Sequence, residues 1–407
     1  MSNKKLTILA VVACVMVLWA MVQSRLANRR PTQTDEPAYL IQGLDPASIG
    51  AIVLGEEEET VALRRQGNGF VVETKDGYPA KTSEVNSLIS KCLEIKFTEF
   101  ITEDPKNHED LEVTEDKART VVKFFKTADP NSAVLAGVVV GKTEELGQGT
   151  YVRQLSSDST VSNRVLSAPD VPWISTGVMS YIEQELISAE TDEIESVTVV
   201  SPDGQYTLKK EADGDDPVLI DMPTDKKLKT SDARSVLTAL TSLRFDDVKK
   251  RPADMTFDRQ YVCRLKDSTE YTLGIAKQKE EDEEGEKTYI ACDANFTDTT
   301  PVTKGSDVES EEELKAKEAK LLARDEANSF TAKHKAWVYE IPSYKANNLT
   351  KELADLLEDA EPEPESDAVD PNAVVPDLIN APLSIDPNAV APDSAPSSVD
   401  PNAAETE

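Results

Sequence analysis

The chain has 407 residues and a formal net charge of −32 at neutral pH, from 76 acidic against 44 basic side chains. Repulsion on that scale from phosphate backbones argues against nucleic acid as a partner. With 39% hydrophobic but only 5% aromatic residues, there is material for cores and little for aromatic-lined ligand pockets.

Met1-Ser-Asn-Lys-Lys leads into seventeen uncharged residues, Leu6 to Val22. At 1.5 Å per residue this is the short end of what spans a bilayer core of about 30 Å, and Gln23, Ser24 and a snorkelling Arg25 extend it. A cleaved signal peptide is the rival reading, but no clear small-x-small cleavage site follows. The expectation is a transmembrane anchor over 1–26 and a polar linker over 27–43. Lys4 and Lys5 before the stretch nearly balance Arg25, Arg29 and Arg30 after it, so charge leaves the orientation open.

Beyond the linker the chain repeats itself. Ala80 to Phe97 lines up without a gap on Leu228 to Phe245, 148 residues further on. Lys81/Lys229, Thr82/Thr230, Ser83/Ser231, Ser87/Ser235 and Phe97/Phe245 are identical. Such a period predicts two copies of one module, over 44–187 and 188–360. The first opens with strand patterns at Ser48 to Leu54, Thr60 to Arg64 and Gly69 to Glu73. The second opens with Glu193 to Val200, Gln205 to Lys209 and Pro217 to Asp221. The repeated segment then reads as a helix. Val85, Leu88, Ile89 and Cys92, with Ala233, Val236, Leu237 and Leu240 in the other copy, form one apolar stripe, and the Thr-Ser pairs are expected to cap it.

A second β group follows in each copy: Thr120 to Phe125, Ala133 to Gly141 and Thr150 to Gln154, against Gln260 to Leu265, Glu270 to Gly274 and Thr288 to Cys292. Gly141 and Gly274 are expected at strand ends. Each copy is expected to close on a tryptophan, Trp173 or Trp337, as a core or hairpin anchor, followed by an amphipathic helix over Met179 to Leu186 or Leu349 to Leu357. The second copy carries a charged insertion, 277–335, with the acidic run Glu280 to Glu286 and a charged helix near Val308 to Asn328. The last segment, 361–407, has eleven acidic residues, no Lys or Arg and three Asp-Pro-Asn-Ala motifs, a composition that predicts disorder. The fold class is therefore α+β: tandem antiparallel meanders with amphipathic helices on one face, an N-terminal transmembrane helix and a disordered tail.

Chemistry is thinly signposted. His108 and His334 are far apart, and no HExxH, CxxC or GxSxG pattern occurs. Gly141-Lys-Thr143 lacks the upstream glycine of a phosphate loop. Asp213-Gly-Asp-Asp216 lacks calcium-loop spacing and reads as a hairpin turn. Cys14 lies in the anchor and Cys92 on the helix stripe, while Cys263 and Cys292 leave a disulfide open. The sequence thus offers no catalytic, cofactor-binding or metal-ligating residue, and no enzyme is expected.

Gly43-Leu-Asp-Pro46 before the first strand, the helix from Lys81 to Phe97, and Val138-Val-Val-Gly141 with Thr150-Tyr-Val-Arg153 resemble the bacterial family of domain of unknown function 4340. The resemblance covers roughly Leu40 to Leu357. Where members show Tyr-Gly-Leu before the second β group, this chain has Asp110-Leu-Glu-Val113. The resemblance implies a non-enzymatic companion of an ABC permease and ATPase of the gliding-motility class. It also implies a single pass through the cytoplasmic membrane, with the bulk of the chain extracytoplasmic. A binding module for peptidoglycan or lipid, lodged in a groove between the copies, is the alternative.

Overall fold

The computed structural model describes residues 37–360, apart from 56–59, 130–131, 146, 148, 211–215, 280–285 and 303–309. The expected anchor, most of the linker, Cys14, nearly all of the acidic run and the tail lie outside the described residues. Among the described residues no helix is long and apolar enough to cross a membrane.

Two antiparallel sheets dominate a mixed α+β architecture. The first is built from β1 (Ala51–Leu54), β2 (Val61–Gln66), β3 (Gly69–Val72), β4 (Tyr78–Pro79), β5 (Glu99–Thr102), β6 (Thr120–Phe125), β7 (Val134–Thr143), β8 (Thr150–Leu155) and β9 (Val165–Ala168). Its strand order is β4-β3-β2-β1-β6-β7-β8-β9-β5. The second is built from β10 (Ile194–Ser201), β11 (Gly204–Lys210), β12 (Pro217–Leu219), β13 (Asp247–Lys250), β14 (Arg259–Leu265), β15 (Thr269–Lys279), β16 (Glu286–Phe296) and β17 (Trp337–Ile341). Its order, β12-β11-β10-β14-β15-β16-β17-β13, is that of the first sheet without a counterpart of β4.

Alternation explains which face each residue takes. Val122, Phe124, Val138 and Val140 enter the main core, while Val121 and Val139 join a smaller cluster on the opposite face. In the second sheet Ile290 and Cys292 face the main core, and Tyr289 and Ala291 face another small cluster. The main-core face is covered by α1 (Thr82–Glu94) and α2 (Thr230–Leu237), whose expected stripes are buried in full. Each stripe residue of Val or Leu size stabilises by about 1.5–3 kcal/mol over its exposed state. The opposite faces are covered by loops at 104–118 and 251–258.

The Thr-Ser pairs are not caps. The residues at the helix starts are Lys81 and Lys229, neither of which makes a side-chain cap. Their backbone N–H groups instead donate to Tyr181 O and Leu356 O, both at 2.8 Å. That strand-like entry places the hydroxyls one residue inside the helix, exposed to water.

Nor do residues 179–186 form a helix. A single 3-10 turn, Val178–Tyr181, is followed by the strand Glu185–Ile187, paired with Leu243–Arg244. The backbone carbonyls of Tyr181 and Gln184 are taken by Lys81 N and Phe245 N, so tertiary pairing overrides the local apolar spacing. At the other end the expected helix resolves into α4 (Ser343–Leu349), one turn at Leu353–Leu356 and the strand Leu357–Asp359.

The charged helix exists as α3 (Glu311–His334), opened by a capping box between Ser310 and Glu313. It is more than a solvated rod, since Ala323, Ala327 and His334 are buried. Thr331 Oγ1 accepts from Ala294 N at 2.8 Å, which ties it to β16.

Candidate functional site: the junction and the Trp173 rim

The two halves meet through aromatic side chains. Tyr78, on β4, lies edge-on to Trp337 at 4.9 Å between centroids and to Phe245 and Tyr339 at 6.2 Å. Such pairs contribute about 0.5–1.5 kcal/mol beyond the area they bury. The Tyr339 ring lies between those of Tyr78 and His334, and its hydroxyl lies 2.6 Å from His334 Nδ1. A buried Tyr-Tyr-His chain thus runs across the junction into α3. Burial pushes both phenols up, and it pushes His334 down to about 4, with Lys333 adding to the effect. At the rim Lys75 Nζ meets Asp247 Oδ1 at 2.6 Å, and Lys250 N donates to Asp76 Oδ2 at 3.2 Å. The two halves are therefore in direct side-chain contact along this line.

Both histidines are buried. His108 Nε2 lies 2.9 Å from Asn163 O and fastens the loop at 104–118. Cys92, Cys263 and Cys292 are buried free thiols. Cys263 lies opposite Tyr271 and Cys292 opposite Leu273, on strands flanking β15, so one strand separates them and no disulfide forms. Burial pushes the Cys92 and Cys263 thiols up to about 12, far from the range of a nucleophile. Among the described residues no group of three His, Cys, Asp or Glu side chains is placed to hold a metal ion.

The motif residues behind the family resemblance have a structural task. Gly141 sits inside β7 rather than at its end, because the loop at 104–118 crosses it. A Cβ there would meet Leu111 O at 2.4 Å and Val113 Cγ1 at 2.7 Å. Arg153, two strands from β6, donates through Nε to Val113 O at 2.8 Å and through Nη1 to Ser162 O at 3.1 Å. Glycine and arginine together latch that loop to the sheet. In the second half Gly274 lies within β15 against the Phe257 ring, and Met255 and Phe257 pack on Ala276, Tyr289 and Ala291. The same loop position is held there by apolar contact.

The two tryptophans are not counterparts. Trp337 is the first residue of β17, buried under Tyr78, whereas Trp173 follows β9 and is 76% exposed. Residues 169–174 run over the surface, fastened where Lys91 Nζ donates to Trp173 O at 2.9 Å. Trp173 forms one wall of a cleft of about 450 Å³ with Arg119, Thr120, Thr150 and Ile174. Pro172 separates it from a second cleft of about 430 Å³, lined by Pro37, Tyr39, Lys96 and Asp170. Sequence reasoning missed this rim because burial, which distinguishes the two tryptophans, is set by chain segments distant in sequence.

No curated protein and no solved structure matches the chain. One family model does, over residues 71–260, and it is described as Domain of unknown function (DUF4340). The matched span holds the helix α1, Gly141 and Arg153, three of the features on which the resemblance rests, begins after Gly43–Pro46, and runs on into β14. Residues 71–260 of the chain thus match the model of the family that its motifs resemble.

Proposed function

We propose that this is a membrane-anchored, non-enzymatic envelope protein of two copies of one α+β module, an accessory or interaction component of an ABC-type, gliding-motility-like transport system. The equal strand orders and the paired hydrogen bonds of Lys81 and Lys229 support the duplication. The uncharged stretch Leu6 to Val22 supports a single-pass anchor, and the family resemblance is what favours an extracytoplasmic bulk. The observation that carries an interaction role is Trp173, an exposed tryptophan between two clefts, beside the point where Pro37 continues from the anchor and linker. Large exposed aromatics of this kind anchor protein interfaces.

Capture of the full-length protein from solubilised membranes tests the reading. An ABC permease and its ATPase should be recovered with wild type and lost with Trp173→Ala. Recovery of neither with wild type would remove the transporter component.

A second reading is favoured by one observation. A tryptophan face beside Arg119, Thr120 and Thr150 in a cleft of about 450 Å³ suits a polar envelope ligand such as a peptidoglycan fragment. Binding to the native state would raise the melting temperature, and an unchanged melting curve across soluble peptidoglycan fragments would dispose of this alternative.

A further inference from the structure

Within one chain, the β3-β4 end of the first sheet abuts the β13 edge of the second, through Lys75, Asp76 and Tyr78. The strand orders match apart from β4, so the second sheet ends on β12 where the first continues from β3 to β4, and the first sheet ends on β5 where the second ends on β13. The junction uses the end of the first sheet and the edge of the second. The opposite members, the β5 edge of the first sheet and the β12 end of the second, terminate their sheets among the described residues.

Both termini carry the marks of an unfilled junction. On β5, Phe100 pairs in register with Leu166 as Val248 on β13 pairs with Tyr339. Val248 is 2% exposed, but Phe100 is 46% exposed, with the Arg164 guanidinium lying over its ring at 5.5 Å. At the other extremity Val218, on β12, is 44% exposed and Ile220 nearly as much. The segment that would cover β12 as β4 covers β3 is Lys226–Leu228, and it pairs instead with Leu357–Asp359. The acidic residue of the edge repeats, since Glu99 stands 148 residues before Asp247, the partner of Lys75; at the β12 end Pro223 and Lys226 stand where the first half has Lys75 and Tyr78, and the exposed base is Lys209, opposite Val218.

We propose that a second copy of this chain docks head to tail, the β12 end of one copy on the β5 edge of the next, repeating between chains the contact that joins the two halves. Exposed sheet edges bearing apolar side chains are templates for strand association. A head-to-tail contact of this kind is heterologous, so it builds a ring or an open row rather than a closed dimer. This inference stands apart from the transporter reading, which concerns the Trp173 rim.

The test uses full-length protein in detergent with Cys14→Ser, the remaining cysteines being buried. Phe100→Cys and Val218→Cys are placed on separately tagged copies, mixed and oxidised. The expected result is a mixed disulfide several-fold above the same-variant dimers. Phe100→Glu, at an exposed position, should lower the sedimentation coefficient of the otherwise native protein while leaving its melting temperature unchanged. Equal yields of mixed and same-variant dimers, or cross-linking of Phe100→Cys only to a different membrane protein, would overturn the proposal.

Discussion

Acidification should strain the junction before it strains the rest of the molecule. His334 is 4% exposed, ringed by Phe330 and Tyr339 and in hydrogen-bond contact with the Tyr339 hydroxyl. Burial lowers it from 6.5 to about 4 in the folded chain, and in the unfolded chain it regains its ordinary value. Between those two values the unfolded state binds the extra proton, so stability is complete above pH 6.5 and falls as pH drops toward 4. At 1.36 kcal/mol per unit the full loss is about 3 kcal/mol, of which about 2 kcal/mol appears between pH 7 and 4.5. Urea denaturation followed by the fluorescence of the junction tryptophan, Trp337, would measure it. His334→Asn keeps a polar atom where Nδ1 lies and removes the titration. Carboxylates contribute alike to both proteins, so the quantity to compare is the loss between the two pH values. Wild type should lose about 2 kcal/mol more than the variant over that interval. Equal losses would refute the assignment of this pH dependence to His334.

Other expectations concern packing. Tyr78→Ala should cost about 3–5 kcal/mol by opening a cavity between Phe245, Trp337 and Tyr339, and Tyr78→Phe only about 1 kcal/mol, in the same urea assay. Gly141→Ala should destabilise by about 1–3 kcal/mol, since its Cβ meets backbone, and more than Gly274→Ala, whose Cβ meets a movable Phe257 ring at 3.1 Å; equal effects would contradict the loop-latch account. In Cys14→Ser protein, Cys92, Cys263 and Cys292 should react with an aromatic disulfide reagent only on unfolding, and rapid labelling of that native protein would show that one of them is accessible. Trp173→Ala should leave the melting temperature unchanged, because the side chain lies largely in water.

How much was legible varies with how local the cause is. The stripes of α1 and α2 and the strand patterns from Thr120 to Leu155 could be read directly, because a period of 3.6 or 2 is written in neighbouring residues. Residues 179–186 have helical spacing, yet they form a 3-10 turn and the start of a strand because Lys81 and Phe245 claim the carbonyls of Tyr181 and Gln184. Thr82 and Thr230 suit a cap, but the lysine before each is drawn into strand-like pairing first.

The alignment of Ala80 to Phe97 with Leu228 to Phe245 needed no coordinates, and neither did the α+β class, the family resemblance or the uncharged N-terminal stretch, since each is a pattern along the chain. Tertiary structure alone decided that Trp337 is covered while Trp173 is bare, that Tyr78 reaches His334 through Tyr339, and that β5 and β12 end their sheets uncovered by the described residues. Those outcomes depend on which segments distant in sequence lie over a residue, and exposure at such a place is a property of the assembled sheets rather than of any local run of side chains.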